Sequence, residues 1–251
     1  MPVLLVTMAI GEKYLEEYTR LFRPSHEQYA KSCGYDFKVI EDYIDGTRRH
    51  ADNISYQKAL ISTTEWSKEY DFVIYIDADI LINVDAPPIH EFCLQTDKVC
   101  MVDEYSQPTP AERLVIQKRN GWETSASAYY KLQAGVDLET TKVLNGGMYV
   151  FQPKLHSKFM QSIYDKYIDK QIGHPSGYHW EQSTIGYELQ KNDMVHVLPN
   201  AFNAIWPICK KSNEFKELLT FFKQNWFTHF CSGCDHDKIE LLQEYNMPSN
   251  T

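Results

Sequence analysis

The 251-residue chain contains no apolar run long enough to cross a bilayer. Its start, Met1-Pro2-Val3-Leu4-Leu5-Val6-Thr7, is apolar but has no basic segment before it and no small-residue cleavage site after it. It reads as a first buried strand rather than a signal peptide. An excess of positive charge is also missing: 25 Lys and Arg stand against 34 Asp and Glu, a net charge of -9. That balance argues against a nonspecific nucleic-acid or anionic-membrane binder, because a phosphate backbone needs a cationic surface. It still allows a local basic pocket for one diphosphate. Cysteines are few: Cys33, Cys93, Cys100, Cys209, Cys231 and Cys234. In a chain of this size without a secretory signal they read as free thiols rather than a disulfide framework. There is no internal repeat, no low-complexity stretch, no interdomain linker and no P-loop pattern.

What the sequence does contain suits a globular enzyme-sized fold. Hydrophobic residues make up 43% and charged residues 24%, enough for one large core, so residues 1–251 are expected to form a single domain. Short β-branched and aromatic runs alternate with helical patterns. Strands are expected at 3–6, 35–41, 71–76, 99–102, 142–152, 194–198 and 226–230. The 142–152 strand is interrupted by Asn145-Gly146-Gly147. Helices are expected over the segment after Gly11 up to Gly34, at 52–68, after Pro87, and at 155–169, 180–189, 213–224 and 237–245. Residues 104–133 form a partly helical excursion, and Gly173-His174-Pro175-Ser176-Gly177 a loop. The alternation predicts an α/β fold with a mixed, mostly parallel, Rossmann-like sheet flanked by helices.

The sharpest chemical signal follows the strongest strand. Asp71-Phe72-Val73-Ile74-Tyr75-Ile76 is nearly continuous hydrophobic sequence and suits a central strand buried on both faces. Asp77-Ala78-Asp79 comes directly after it. Ligands in open α/β sheets collect beyond the carboxyl ends of strands. Two carboxylates there, one small residue apart, suit Mn²⁺ or Mg²⁺, which can also bridge phosphate oxygens and offset charge on a leaving diphosphate. An Asp-x-Asp alone has low specificity. Its bland account is a turn pair leading into Ile80-Leu81-Ile82.

The segment Tyr70-Asp71-Phe72-Val73-Ile74-Tyr75-Ile76-Asp77-Ala78-Asp79-Ile80-Leu81-Ile82 resembles the metal-binding segment of GT-A-fold glycosyltransferases. Three further blocks match in order. They are Leu144-Asn145-Gly146-Gly147-Met148-Tyr149-Val150-Phe151, His179-Trp180-Glu181-Gln182-Ser183 and Trp226-Phe227-Thr228-His229-Phe230-Cys231-Ser232-Gly233-Cys234. Together they span most of the chain. They are similar to the retaining galactosyl-, xylosyl- and mannosyltransferases of plants and yeast, and more distantly to glycogenin-type and lipooligosaccharide galactosyltransferases. Eukaryotic members of that group usually carry an N-terminal membrane anchor, which has no counterpart here. The resemblance therefore implies a soluble viral or bacterial member acting in the cytoplasm, the host's if viral.

The resemblance implies a metal-dependent hexosyltransferase. It would move a hexose from a UDP- or GDP-sugar to a glycan or glycoprotein acceptor with retention at the anomeric carbon. It assigns Asp77, Asp79 and His229 to Mn²⁺ (or Mg²⁺), with Asp79 the more direct carboxylate. Thr7, Met8 and Ala9 at the end of the first strand would hold the base and ribose, with Lys58, Asp77 and Ala78 beside the donor. Asn145 would bind a sugar hydroxyl, and Gly146 and Gly147 would let the backbone approach the sugar. Gln182 would lie near the anomeric carbon and Glu181 at the sugar hydroxyls, Glu181 being the one nucleophile candidate for double displacement. Each residue also has an ordinary account: a core histidine, a strand-to-helix turn, an exposed lysine, a β-bulge, a helix-start glutamate. Tyr129, Tyr130, Trp122 and Trp180 stand as candidate sugar-stacking rings or as core. Lys118-Arg119-Asn120-Gly121 stands as a lid or as a surface loop.

Three other readings remain beside it. Cys231-x-x-Cys234 with His229 and His236 is half of a zinc site, without the second cysteine pair a structural zinc uses. A metal-dependent nucleotidyltransferase would use the same carboxylates but release pyrophosphate. A catalytically inactive glycan-binding protein of the same fold would bind sugar without turnover.

Overall fold

The computed structural model describes residues 1–50, 54–171, 180–231 and 235–246; the 173–177 loop, His179 and residues 232–234 lie outside them. The expected α/β architecture is found. A six-stranded sheet runs in the order β2-β1-β3-β6-β5-β7, from β1 (Val3–Met8), β2 (Asp36–Ile40), β3 (Phe72–Asp77), β5 (Val99–Met101), β6 (Met148–Phe151) and β7 (Val195–Val197). β1 pairs in parallel with β2 and β3, and β5 with β7, while β6 runs antiparallel between β3 and β5. A three-stranded sheet, β4 (Ile80–Ile82), β9 (Phe227–His229) and β8 (Ala204–Ile205), abuts it in the order β4-β9-β8. The expected run at 71–82 is thus two strands in two sheets, joined by the turn Ala78-Asp79.

Both faces of the large sheet are buried, with the period of two that strands impose. Leu4, Val6, Met8, Val73, Tyr75, Tyr149 and Phe151 point to one face. They pack under α5 (Pro153–Gln171) and the 3-10 segment Ser55–Thr63. Val3, Leu5, Phe72, Ile74, Ile76, Met148 and Val150 point to the other, against α2 (Arg23–Cys33) and the inner faces of β4 and β9. Each such side chain contributes about 1.5–3 kcal/mol when fully buried. A third cluster joins α1 (Glu12–Leu21), α8 (Phe215–Gln224) and α9 (His236–Tyr245) around Tyr18, Leu218, Phe222 and Ile239.

Several expectations are corrected. The helical pattern after Gly11 is two helices broken at Phe22, because Pro24 stands at the start of α2 and lacks the N–H a continuous helix would need. Gly34 does close α2, at φ 69°. Residues 52–68, read as one helix, are two 3-10 segments, Ser55–Thr63 and Trp66–Glu69, where described. The Thr63, Thr64 and Ser67 hydroxyls donate to carbonyls three residues back, favouring the tighter winding. The segment after Pro87 is likewise 3-10, at Ile89–Cys93. The 142–152 strand shrinks to β6, with Leu144 making one isolated bridge to Asp103. Residues 104–133 contain α3 (Pro110–Asn120) and α4 (Ala126–Ala134). Lys118, Arg119 and Asn120 are the last turn of α3 and Gly121 its left-handed cap at φ 68°, not a loop. Among the described residues no helix is long and apolar enough to cross a membrane. Cys33, Cys93, Cys100, Cys209 and Cys231 are free.

Candidate active site

Strand register brings the metal candidates together. β3 ends at Asp77, whose backbone N–H donates to the Gly147 carbonyl at 2.8 Å. β4 starts at Ile80, directly opposite His229 in the antiparallel pair with β9, and Phe230 N–H donates to the Asp79 carbonyl at 3.0 Å. One ligand atom from each of Asp77, Asp79 and His229 therefore lies within 4.8 Å of the others. His229 Nε2 is 3.2 Å from Asp79 Oδ1 and 3.8 Å from Asp77 Oδ2. Around one cation with bonds of about 2.1 Å, ligand atoms sit roughly 3 to 4.3 Å apart, so two oxygens and one imidazole nitrogen at this spacing fit Mn²⁺ or Mg²⁺.

The hydrogen bonds behind the triad fix its protonation. Gly147 N–H donates to Asn145 Oδ1 at 2.9 Å, so this atom is an acceptor. Asn203 Nδ2 donates to the same oxygen at 2.7 Å. That leaves Asn203 Oδ1, 2.9 Å from His229 Nδ1, as an acceptor for the imidazole N–H. With Nδ1 committed as a donor, Nε2 is the nitrogen turned toward the carboxylates, where it donates to Asp79 when protonated and would offer its lone pair to a cation that replaces that proton. Burial lowers the His229 pKa, but Asp79 and Asp77 outweigh it and hold it above the ordinary histidine value. Burial raises the Asp79 pKa, and His229 with Lys58 outweighs it in the other direction.

Lys58 is buried among acceptors. Its Nζ lies 2.9 Å from Asp77 Oδ1, 2.9 Å from the Gly146 carbonyl and 3.4 Å from Glu181 Oε1. Burial works against its charge, but Asp77 and Glu181 outweigh it and keep its pKa above the usual lysine value. Tyr75, two residues before Asp77 and on the same face of β3, donates to Asp77 Oδ1. Lys58 Nζ also donates to Asp77 Oδ2 at 3.3 Å, so the lysine reaches both carboxylate oxygens; Tyr75 engages Oδ1, and Oδ2 lies 3.8 Å from His229 Nε2.

Asn145 and Gln182 form one knot. Gln182 Oε1 accepts from Gly146 N–H at 2.8 Å and from Asn145 Nδ2 at 3.2 Å, while its Nε2 donates to the Tyr129 hydroxyl at 2.9 Å. Asn145 Nδ2 also donates to Glu104 Oε2 at 2.9 Å, and Arg113 Nη2 holds Glu104 Oε1 at 2.8 Å. Both ends of the Gln182 amide are engaged by protein. Glu181, by contrast, keeps Oε2 buried and without a hydrogen-bond partner among the described residues.

The glycines serve the protein's own packing. A Cβ on Gly147 would lie 2.4 Å from His229 Cε1, and one on Gly146 would lie 3.0 Å from Glu181 Oε1. The space a side chain would take at these two positions is filled by the imidazole and the carboxylate. Thr7 and Met8 are buried in β1, Met8 beside Asp77 in register; Ala9 is buried with its N–H committed to the Ile40 carbonyl. Ala78 is buried in the third core cluster. Tyr129 and Tyr130 are core residues, and the Trp180 side chain lies outside the described residues. The zinc alternative loses His236, which is 3.1 Å from Glu17 on the surface, and the triad includes no thiol; Cys234 is not among the described residues.

Sequence reasoning passed over Glu104, Asn203, Arg113 and Tyr75. Glu104 had a usable signal: like Asp77, it closely follows an apolar strand end, after Val99–Met101. Asn203 had none, since it is a single amide in the 3-10 turn Asn200–Asn203.

No family model matches the sequence, and no curated protein does. Solved structures do match. One is a glycosyltransferase involved in the glycosylation of the major capsid of PBCV-1, with TM-score 0.60 at 14% identity, covering 97% of this chain and 100% of that one. Another is the galactosyltransferase LgtC in complex with donor and acceptor sugar analogs, with TM-score 0.58 at 14% identity and 98% coverage of both chains. The bifunctional glycosyltransferase WbbM matches at TM-score 0.54 and 13% identity, with 95% of this chain covering 48% of that one. Over nearly its whole length, this chain has the fold of these glycosyltransferases.

Proposed function

We propose that the chain is a metal-dependent, retaining glycosyltransferase that moves a hexose from a UDP- or GDP-sugar onto a glycan or glycoprotein. The observation that carries this reading is the convergence of Asp77, Asp79 and the Nε2 of His229 at the carboxyl end of β3, beside Lys58 and Glu181. The shared fold with glycosyltransferases supports it.

Asp77, Asp79 and His229 would hold a divalent cation, which when bound would supply positive charge to offset that on a leaving diphosphate. Lys58 holds Asp77 and Glu181 in place and keeps its own charge next to the site. In the transfer, the bond from the anomeric carbon to the diphosphate oxygen breaks and a bond to the acceptor hydroxyl oxygen forms on the same face. The hydroxyl proton goes to the departing phosphate oxygen. Glu181 Oε2 has no hydrogen-bond partner among the described residues, which suits it to steady positive charge on the sugar ring or to attack it in a double displacement. Gln182, tied at both ends, acts by holding the Asn145-Gly146 turn.

Calorimetric titration with UDP and with GDP, each with and without Mn²⁺, tests the reading. Binding of one nucleotide only when the ion is present is expected, and Asp79→Ala should abolish it while leaving the far-UV spectrum intact. Metal-independent binding, or binding unchanged in Asp79→Ala, would remove these carboxylates from the donor site.

A further inference from the structure

Helix α3 is built inside out. Arg113 and Gln117, four residues apart on one face, are only 5% and 2% exposed, while Val115 is 66% exposed and Leu114 also faces solvent. The outer face of α3 thus carries exposed apolar side chains among charged ones. Beside that face lies a cavity of about 500 Å³, within the range usual for small-ligand sites. Its walls come from α3 and from the segment around α7 (Trp206–Cys209). Val115, Ile116, Pro207 and Ile208 supply apolar surface, and Arg119, Lys210 and Lys211 supply charge. Glu112 is the one carboxylate in the lining, and it accepts from the Thr109 hydroxyl at 2.8 Å. None of the three cations has an ion-pair partner among the described carboxylates. On a chain of net charge -9 such a cluster is a local exception.

The segments that wall the cavity are tied to the candidate active site through short links. Ile205, the residue before α7, is paired with His229. Gln107, next to the lining residue Pro108, donates to the Asn203 carbonyl at 2.9 Å and accepts from Ile205 N–H at 3.0 Å. Arg113, on the inner face of α3, reaches Asn145 through Glu104. Two of its guanidinium nitrogens are buried without hydrogen-bond partners among the described residues, while Glu104 offsets its charge.

We propose that this cavity seats the acceptor and selects a saccharide bearing an acidic group, carboxylate or phosphate. The apolar wall takes the C–H face of the sugar ring, and Arg119, Lys210 and Lys211 bind the anion through charge-assisted hydrogen bonds. The role as acceptor site rests on the glycosyltransferase reading; the preference for an acidic saccharide does not.

The test is direct binding to the whole chain of three probes: a glucuronate-terminated disaccharide, its neutral glucose-terminated counterpart, and a hexose phosphate. The wild type is compared with Arg119→Gln/Lys210→Gln/Lys211→Gln, three exposed positions whose change spares the core. At least one acidic probe should bind about tenfold or more tighter than the neutral one, the scale of one or two charge-assisted hydrogen bonds. The triple variant should lose that preference, and the acidic probe that loses affinity identifies the anion. Equal binding of all three probes, no binding of any, or a preference that survives in the triple variant would overturn the proposal. Mn²⁺-dependent nucleotide binding is read separately on the same samples. Its failure with the acidic preference intact would sink the glycosyltransferase reading and leave the pocket standing.

Discussion

At the scale of single residues, Gly147 and Asn203 decide how His229 presents itself. The imidazole occupies the space a Gly147 side chain would fill, and Asn203 holds its Nδ1. Gly147→Ala is therefore expected to push the ring away. Overpacking should cost about 1–3 kcal/mol of stability, and Mn²⁺ affinity should fall roughly 10- to 100-fold, as when outer partners of a metal histidine are lost. Titration of free Mn²⁺ by electron paramagnetic resonance, with denaturant unfolding in parallel, checks both; undiminished affinity would refute the packing argument. The sequence alone points to Asp77, Asp79, His229, Lys58, Asn145, Glu181 and Gln182, and the fold brings them into one neighbourhood. The sequence does not mark the atoms that orient them. Asn203 is 58 residues from Asn145 and 26 from His229. No local periodicity encodes a pairing that only the β8–β9 register creates.

At the scale of elements, strands were more legible than helices. β3 and β1 announce themselves by uninterrupted apolar sequence, whereas the 3-10 segment Ser55–Thr63 is buried along residues 56–62 and has no polar face to reveal its winding. The same limitation hid His26, which sits on α2 at a position that helical periodicity marks as ordinary core. Its Nε2–H donates to the Ile80 carbonyl at 2.6 Å and its Nδ1 faces the Tyr18 hydroxyl at 3.3 Å, so it pins the first residue of β4 to α1 and α2. Burial pushes its pKa down to about 4. The folded state then binds fewer protons at His26 than the unfolded state between pH 6.5 and 4. The stabilisation is complete above the unfolded value of about 6.5 and is lost as pH falls toward 4. By pH 4.5 His26 alone should cost about 2–3 kcal/mol. Denaturant titrations at pH 7 and 4.5 should show His26→Gln losing less stability over that interval than the wild type. Equal losses would remove His26 from the acid sensitivity.

At the scale of the whole molecule, the two sheets share one core. Ile80, Ile82, Phe202 and Phe227 from around the small sheet pack in the same cluster as Leu5, Ile74 and Val150 of the large one. Neither sheet can expose its inner face without stripping the other, so a single cooperative transition is expected. In differential scanning calorimetry the calorimetric and van't Hoff enthalpies should agree, and two resolved peaks would contradict the shared core. The antiparallel match of Ile80 with His229 carries a further consequence. Side chains alternate along a strand, so a slip of one residue between β4 and β9 would turn the imidazole to the opposite face. Such a chain could be compact and helical, and would still lack the third ligand. Under the metal role proposed above, ion uptake at this centre would act as a proofreading signal for strand alignment: a refolded sample's Mn²⁺ stoichiometry would count the molecules whose β9 has found its correct partner.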